Sequence, residues 1–481
     1  MAKTVNRRQF VKQAAAASTV FSTFTIAGTK SSGRVLGAND TVRVAVCGIN
    51  GQGRSHIQEM AGQRNVDVTH LADPDRSLFA SRCDLVEKYG RNRPECVQDV
   101  RRVLDNPNVD AITCATCNHW HSLIGVWACQ AGKDAYIEKP ISHNIWEGRK
   151  LVEAAARYQR VVQHGTQQRS DQNRANEIAA VQSGKYGKLL VSKGYCCKPR
   201  WSIGVQPIQA PPPHLDFDLW LGPARAREYH ANLAHYNWHW FWDTGNGDSG
   251  NQGVHELDVA RWAIKDGTMP DTVWSLGGRF GYDDQGETPN TQLSVYLFGD
   301  VTLLFETRGL VGKHKNMPAM IRNEYYTTDG MITDGKFYPT GGDQPQSVSA
   351  DSPRQVTPGG RFGSFIASVR DRSPDTCNCD AEVGHYSSAL CHLGNISYRL
   401  GEQVAFDRKS QALGDNKQVV ESFENVKANC QAVGMDLSES TYQLGRVLQF
   451  DPDAERFIGD DDANAMLGRN YRDPYVIPDV V

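Results

Sequence analysis

Residues 41–53 read TVRVAVCGINGQG, and this stretch decides the fold of the first part of the chain. A run rich in β-branched residues ends at Gly48, a glycine-containing turn follows, and residues 54–63 have helical character. This order of strand, glycine turn and helix binds the pyrophosphate of a dinucleotide: glycines let the backbone approach it, and the helix N-terminus offers free N–H groups. The residues expected to bind the cofactor at this turn are Gly48, Asn50, Gly51 and Gly53.

Asn50 occupies the place of the middle glycine in the usual pattern, and asparagine tolerates a left-handed backbone better than most residues. A second strand-like run, residues 66–73, supports the pattern because it ends in Asp73. A carboxylate at this point binds the adenosine ribose hydroxyls, which favours NAD over NADP. Two alternatives remain open. Asp73 could be a surface residue that caps the next helix, and Arg76 could meet the 2′-phosphate of NADP.

The alternation of strand and helix continues beyond this point. Short apolar runs occur at residues 110–116, 134–137 and 161–164, with a helical segment at 121–131. The pattern predicts a doubly wound parallel sheet, a Rossmann-type α/β domain over residues 39–165.

The second part of the chain, residues 166–481, has a different pattern. Longer strand-like runs at 272–280, 291–297 and 301–306 predict a larger C-terminal α/β domain with a mostly antiparallel open sheet. Residues 310–360 are rich in Gly, Pro, Asp and Thr, and they are predicted to be surface excursions from that sheet.

The first 38 residues have the features of a targeting signal. Arg7 and Arg8 precede Phe10 and a mildly apolar tract, and no acidic residue occurs before Asp40. This is typical of a twin-arginine (Tat) export signal and predicts a periplasmic protein that meets the Tat machinery as a partner. A retained membrane anchor, or an amphipathic or disordered tail, is the alternative.

Composition limits the classes of function. The chain has 481 residues, and its 52 Lys and Arg against 55 Asp and Glu give a net charge of −3, which offers no basic surplus for nucleic acid. No run approaches the roughly 18 apolar residues of a membrane span. The 12 cysteines are too scattered for a disulfide framework. Cys114, Cys117, Cys377 and Cys379 invite a zinc interpretation, but Cys114 falls inside a predicted strand, and no metal is expected.

Three further tracts carry a family resemblance: Glu138-Lys139-Pro140, residues 165–170 (GTQQRS) and residues 251–258 (NQGVHELD). Through them, and through the strand order, the chain resembles the glucose-fructose oxidoreductase, inositol dehydrogenase and MocA (Gfo/Idh/MocA) family, in its exported bacterial branch, over about residues 40–480. The resemblance implies an NAD(P)-dependent oxidoreductase, which is a homo-oligomer in this family.

The resemblance also implies roles for residues after the strand ends, where ligands bind in doubly wound sheets. Lys139 is expected to be catalytic and to touch the cofactor, because a lysine near a positively charged nicotinamide has a lowered pKa. Glu138 is expected to contact the nicotinamide ribose, and His119 to line the nicotinamide pocket. The alternatives are a structural Lys-Pro turn, and a histidine that only caps or packs.

Similar dehydrogenases have an aspartate four residues before the catalytic histidine. Here His255 matches the histidine and is expected to be catalytic, but Asn251 stands in the aspartate's place. An amide cannot accept a proton, so Asn251 is expected only to bind substrate by hydrogen bonding. Asp248 or Asp258 could supply the missing carboxylate. Asp258 is a candidate substrate-binding residue, with a structural role as its alternative.

Residues 229–243 (YHANLAHYNWHWFWD) combine aromatic rings with His and Asn, which suits the apolar faces and hydroxyl edges of a sugar. Trp238 is therefore a candidate substrate-binding residue, and an aromatic cluster at a domain or subunit interface is the alternative. Arg169 is a further polar candidate for substrate binding.

We expect an exported enzyme that transfers hydride to or from a secondary hydroxyl of a sugar, polyol or glycoside, with tightly bound NAD; NADP is possible. One alternative is an NAD-dependent glycoside hydrolase or lyase that acts by transient oxidation and elimination. A second alternative is a non-catalytic sugar-binding protein.

Overall fold

The computed structural model describes residues 40–312, 317–342, 344–406 and 413–481. The predicted export signal lies outside the described residues. In the first half the elements are β1 Val42–Cys47, α1 Gly51–Gly62, β2 Val66–Ala72, α2 Phe79–Glu87, β3 Glu95–Val97, α3 Val100–Leu104, β4 Ala111–Cys114, α4 Asn118–Gln130, β5 Asp134–Ile137, α5 Ile145–Arg157, β6 Val162–His164 and α6 Gln172–Gln182.

The second half begins with β7 Leu189–Cys197 and α7 Phe217–Leu221, then a π-helical turn Ser249–Gly253 that runs into α8 Val254–Ala263. The remaining elements are β8 Thr272–Gly278, β9 Thr291–Phe298, β10 Val301–Arg308, β11 Met320–Thr327, β12 Gly330–Thr333, β13 Lys336–Pro339, β14 Gln346–Ser347, α9 Gly360–Asp371, α10 Ala381–Arg399, β15 Glu402–Ala405, α11 Lys417–Ala432, β16 Thr441–Leu444, β17 Leu448–Asp451, β18 Arg456–Phe457 and α12 Asp461–Ala465.

The first sheet is parallel throughout, with strand order β3-β2-β1-β4-β5-β6. This is the doubly wound order in which the strand sequence reverses between β1 and β4, and it confirms the predicted Rossmann architecture. The four helices α1, α2, α4 and α5 cover its two faces. Helix α1 begins at Gly51 rather than at residue 54, so its N-terminus lies directly after the glycine turn.

The far end of the chain also packs on this first sheet. Phe362 and Phe365 of α9 join the core on the α1 side, and Tyr475 and Ile477 join the core on the α4 side. The division of the chain at residue 165 stays a prediction, but segments from both sides of it share these two cores.

The second sheet is mostly antiparallel, as predicted; β7 and β10 are its one parallel pair among the described strands. Alternate residues point to its two faces: Val273 and Leu303 pack under α8 and α10, whereas Trp274 and Leu304 pack under α11. Among the described residues no helix combines the length and apolarity needed to cross a membrane.

The prediction for residues 310–360 was wrong. This region contains β11–β14, which continue the second sheet outward from β7, and Tyr325 and Ile332 are buried there. The strands are short and the Gly- and Asp-rich turns between them dominate the composition, so the strand signal was hidden.

Candidate active site

A cleft of about 790 Å³ lies at the carboxyl ends of the first sheet's strands. It runs from the loop after β2, past the glycine turn and the loops after β4 and β5, to the π-helical turn and α8 of the C-terminal part. The volume falls in the range of ligand pockets, and the position is the one where doubly wound folds bind dinucleotides.

The glycine turn has the shape that a pyrophosphate needs. Gly48 has φ +75°, and a Cβ there would lie 2.7 Å from the backbone of Ala115. A Cβ on Gly53 would lie 1.8 Å from the carbonyl oxygen of Gly48, so only glycine lets α1 sit this close to β1. Gly51 has nothing within 4 Å of its Cβ position, which leaves the N-terminus of α1 open. Asn50 has φ −81°, an ordinary extended backbone, so no left-handed conformation is needed there.

One end of the cleft is formed by the loop after β2, where the sequence predicts that the adenosine ribose binds. Asp73 accepts hydrogen bonds from the backbone N–H of Ile49 (2.8 Å) and of Asp75 (2.9 Å), and burial raises its pKa to about 6. Asp73 lines the cleft, and its binding to the adenosine ribose stays a prediction. The Arg76 guanidinium donates to the carbonyl oxygen of Pro213 (3.2 Å), so Arg76 is held by the C-terminal part of the chain.

Residues 201–243 cross from the C-terminal part back over this end of the cleft, and we call them the cover segment. The backbone N–H of Arg76 donates to His214 (3.1 Å), and the N–H of Asp216 donates to Pro74 (3.0 Å). His235 Nε2 lies 2.9 Å from a carboxylate oxygen of Asp75. The segment therefore ties the loop after β2 to the C-terminal sheet domain.

Glu138, which is expected to contact the nicotinamide ribose, lines the cleft after β5. Its carboxylate accepts hydrogen bonds from Gln52 Nε2 (2.9 Å), His56 Nε2 (3.1 Å) and the backbone N–H of Lys139 (3.1 Å). Burial alone would raise its pKa, but the hydrogen bond from His56 and the charges of Arg361 and Lys139 hold the pKa well below its usual range. Glu138 is therefore an anion fixed in the wall of the cleft.

Lys139 follows at the centre of the cleft, and the Lys139–Pro140 peptide is cis. Its ammonium donates a hydrogen bond to the main-chain carbonyl oxygen of Asn251. Burial lowers the pKa of Lys139, while the carboxylates of Glu138, Asp248 and Glu256 act in the opposite direction. A cation of lowered pKa in this position can polarise a substrate oxygen or exchange a proton with it.

Asn251 lies in the π-helical turn Ser249–Gly253. Its side-chain amide donates to the Tyr236 hydroxyl and to Asp248, both at 3.4 Å, and it lines the cleft. The atom that contacts Lys139 is the main-chain oxygen, which any residue would supply. The replacement of the expected aspartate therefore leaves the position of Lys139 intact.

His255 also lines the cleft, at the start of α8. Within the described part of the chain its ring makes no hydrogen bond, so both ring nitrogens are available to a ligand. Burial, and then the charge of Lys139, lower its pKa to about 3. The ring is therefore neutral at physiological pH and acts as a hydrogen-bonding group rather than as a strong base.

Each of the two aspartates that could supply the missing carboxylate is paired with an arginine. Asp258 is fully buried, outside the cleft lining, and accepts hydrogen bonds from Arg169 Nε at 2.8 and 3.0 Å. Asp248 is paired with Arg200 at 2.8 Å. The assignment of Asp258 and Arg169 to substrate binding is thus corrected: they neutralise each other inside the protein, beneath the cleft.

His119 is also corrected. The ring is buried and faces the carbonyl oxygens of Thr244 (3.2 Å) and Trp220 (3.1 Å), outside the cleft lining. Burial lowers its pKa to about 3. Its role is to hold the cover segment against α4, whereas its neighbour His121 lines the cleft and contacts the carbonyl of Pro140 at 2.6 Å.

The cover segment brings aromatic side chains to the substrate end of the cleft. Trp238 lines the cleft and stacks on His239 with ring centroids 3.6 Å apart, and its contact with a substrate stays a prediction. His239 contacts the carbonyl of Tyr236 through Nδ1 (2.6 Å), and its ring also faces the cleft. Such flat apolar surfaces with polar edges are suited to carbohydrate rings.

Sequence reasoning missed several residues of the lining: Gln252, Glu256, His235, Tyr236 and His239. The first two lie four residues apart in the same tract as Asn251 and His255, and this helical spacing was the available signal. The other three lie in the aromatic tract, where the sequence could not say which side chains face inward. Among the described residues, no group of three or more His, Cys, Asp or Glu side chains is arranged to hold a metal ion.

The strand order, the glycine turn and Asp73 at the end of β2 together define a Rossmann-type dinucleotide-binding protein. Residues 42–166 match the model of the oxidoreductase family with an NAD-binding Rossmann fold, and residues 180–279 match the model of that family's C-terminal α/β domain. These two matches confirm the predicted resemblance to the Gfo/Idh/MocA oxidoreductase family, including its NAD-binding domain.

Curated relatives and solved structures agree with this placement. A glycosyl hydrolase family 109 protein of Shewanella baltica is 23% identical over 218 residues, which are 41% of this chain and 48% of the relative. A second such protein, of a Shewanella species (strain ANA-3), is 27% identical over 182 residues, 37% of this chain and 40% of the relative. The match thus spans less than half the length of these curated relatives.

Among solved structures, the WlbA dehydrogenase of Bordetella pertussis, in complex with NADH and UDP-GlcNAcA, is similar with a TM-score of 0.54 and 15% identity. The alignment covers 73% of this chain and 94% of that one. The aldose-aldose oxidoreductase of Caulobacter crescentus, complexed with glycerol, gives 0.52 and 15%, covering 73% and 95%. At this identity the likeness concerns the fold.

Proposed function

We propose that this protein is an exported, NAD-dependent oxidoreductase that acts on a secondary hydroxyl of a sugar, polyol or glycoside and keeps its cofactor bound between turnovers. The observation that carries the proposal is the pairing, in one cleft, of the Lys139 ammonium and the unbonded His255 ring next to the dinucleotide turn. When bound, NAD accepts hydride from a carbinol carbon and returns it to a carbonyl carbon.

The residues of this chain bind the cofactor and position the substrate. The glycine turn holds the pyrophosphate, Asp73 the adenosine ribose, and the fixed anion of Glu138 the nicotinamide ribose. Lys139 binds the oxygen of the reacting hydroxyl, and the neutral His255 ring orients it by a hydrogen bond. Trp238 provides a flat apolar surface for the sugar ring.

Two features support retention of the cofactor. The cover segment is tied to the loop after β2 by two backbone hydrogen bonds and by the His235–Asp75 contact, so release of the adenosine end requires these bonds to open. The paired arginines at the N-terminus predict export of a folded protein to the periplasm, where no pool of free NAD replenishes the site. A second substrate would then reoxidise or re-reduce the same cofactor molecule, which gives ping-pong kinetics.

The first test is to purify the exported protein, dialyse it extensively, denature it and identify the released nucleotide by mass. About one NAD per chain is expected, and absence of nucleotide with no rebinding on addition would contradict the proposal. Pairs of aldoses and polyols are then supplied without free cofactor. Oxidation of one sugar matched by reduction of the other is the expected outcome. Measured binding of a sugar without turnover would favour a non-catalytic sugar-binding protein.

A second candidate function is an NAD-dependent glycosidase, which the glycosyl hydrolase family 109 relatives favour. Transient oxidation beside the anomeric carbon acidifies a C–H bond and allows elimination of the glycosidic leaving group. The two candidates separate in one experiment: aryl glycosides are incubated with the dialysed protein in deuterated water. Release of the aglycone with deuterium in the sugar would favour the glycosidase, and oxidised sugar without release would favour the oxidoreductase.

A further inference from the structure

Hydride transfer to or from a hydroxyl group requires a group that exchanges a proton near neutral pH. The histidine–aspartate pair of similar dehydrogenases, which corresponds here to His255 and Asn251, does not provide one. His255 has a pKa of about 3, lowered by burial and by Lys139. Asn251 stands where an aspartate was expected, Asp248 is paired with Arg200, and Asp258 is paired with Arg169. Another carboxylate that lines the cleft is therefore a candidate for this role.

Glu256 differs from the other carboxylates of the cleft in its surroundings. It follows His255 on α8, lines the cleft and is only 1% exposed. Its carboxylate accepts hydrogen bonds from the Gln252 amide, one helical turn earlier, at the long distances of 3.3 and 3.5 Å. No cation lies within 4 Å of it among the residues that the structure describes. Such a weakly held, buried carboxyl group is costly unless it is protonated for part of the time.

The titratable groups around Glu256 come from the segment after β5 and from the end of β7. Lys139, after β5, and Lys198, after β7, lower its pKa, and Lys198 reaches it through Gln252, to which it donates at 3.0 Å. Cys196 of β7 is near enough for the charge of Glu256 to raise the thiol's pKa. Burial outweighs the two lysines, and the pKa of Glu256 is about 8. A carboxyl group with this value can both take up and give back a proton under physiological conditions.

We propose that Glu256 is the catalytic residue that exchanges the proton of the reacting hydroxyl, in the place of the histidine–aspartate pair of similar dehydrogenases. In the oxidation half, the substrate O–H bond breaks and a carboxyl O–H bond forms on Glu256, while the C–H electron pair leaves as hydride to the bound nicotinamide. In the reduction half both bonds form again on the second substrate. The ammonium of Lys139 stays charged and stabilises the oxygen throughout. This role rests on the proposed hydride-transfer function.

Three variants test the role of Glu256. Glu256→Gln keeps the shape but cannot exchange a proton, and Glu256→Asp keeps the acid but shortens it. Glu421→Gln removes an exposed carboxylate from α11 as the matched control. Nucleotide retained per chain after dialysis is measured first, because it shows that each variant folds with its site intact.

Turnover against pH is the main readout. We expect the wild-type protein and the control to share one ionisation near neutral pH. Glu256→Gln should lose that ionisation and about 100-fold or more in rate, and Glu256→Asp should keep a shifted one. An unchanged pH profile in Glu256→Gln, with NAD retained, would overturn the role of Glu256 and leave the proposed function standing. Wild-type protein without NAD or turnover would instead contradict the proposed function.

A second measurement does not depend on activity. The infrared difference spectrum of wild type minus Glu256→Gln at pH 7 should contain the carbonyl stretch of a protonated carboxyl group, which disappears as the pH is raised. Absence of this band across the pH range in a folded wild-type protein would mean that Glu256 is always ionised, and it would overturn the inference.

Discussion

Substitution of Asp258 tests whether the ion pair between Arg169 and Asp258 contacts the substrate or only stabilises the fold. Asp258→Asn removes the carboxylate charge and leaves the Arg169 guanidinium, which is 4% exposed, without its anion. Breaking a buried ion pair in this way costs about 3–5 kcal/mol. The carboxylate also accepts hydrogen bonds from Ser387 and from Thr166 at 3.3 Å, so the upper part of that range is expected.

The pH dependence of this effect has a definite sign. Burial would raise the pKa of Asp258, but the charges of Arg169 and Arg261 outweigh it, and the pKa lies below its usual value. The stabilisation is therefore fully present above the unfolded-state pKa of about 3.9 and is lost as the pH falls through the lower folded-state value. The difference in unfolding free energy between wild type and Asp258→Asn should be constant near neutral pH and should shrink below about pH 4.

The assay combines denaturant unfolding with measurement of KM for the sugar and of retained NAD. Asp258→Asn should lower the unfolding midpoint, while KM and NAD retention of the folded fraction stay close to wild type. The double variant Arg169→Met and Asp258→Leu should recover part of the stability, because no charge is left buried. If Asp258→Asn unfolded like wild type but raised KM tenfold or more, Asp258 would belong to the substrate site and our correction would be wrong.

Three further predictions concern the cofactor and the centre of the cleft. Gly53→Ala should abolish NAD retention, measured by mass, because its Cβ would lie 1.8 Å from a backbone oxygen of the turn; a variant with wild-type retention would refute this packing. His235→Gln should speed NAD dissociation only about two- to fivefold in a stopped-flow competition assay, since a half-exposed ion pair is worth about 0.2–1 kcal/mol. Asn251→Ala should keep kcat within about tenfold, because only side-chain hydrogen bonds are lost, whereas Lys139→Met should lose about 100-fold or more. Equal losses in these last two variants would show that the Asn251 amide takes part in the chemistry.

The sequence predicted the features that depend on short-range spacing. The glycine turn and Asp73 lie on consecutive βα units, and their roles follow from the geometry of one strand, one turn and one helix. The sequence predicted the antiparallel sheet where its strands are long, as in β9 and β10. It did not predict β11–β14, because β11 pairs with a strand more than 100 positions away and the strands after it are short.

The site was harder to predict because its parts come from distant segments. The sequence identified Lys139, Asn251 and His255, but it could not show that Lys139 bonds to the main chain of residue 251, 112 positions away. It also could not show which carboxylates are neutralised. Asp258 and Glu256 are two residues apart and look alike in the sequence. Asp258 is paired with the Arg169 guanidinium, whereas Glu256 accepts long hydrogen bonds from the uncharged Gln252 amide.

The contrast between Asp258 and Glu256 explains how the protein can carry Asn251 in place of the expected aspartate. In a histidine–aspartate pair, the carboxylate raises the basicity of the imidazole so that the ring can take a proton. Without that carboxylate, and beside the Lys139 cation, the ring is held neutral, so proton exchange has to move to another group. The main-chain contact of Lys139 does not depend on the side chain at position 251, and the buried carboxyl group of Glu256 lies on the same helix as His255. Restoring the aspartate by Asn251→Asp should therefore raise the pKa of His255 and weaken the dependence of turnover on Glu256, so the loss caused by Glu256→Gln should be smaller in the Asn251→Asp background than in the wild type.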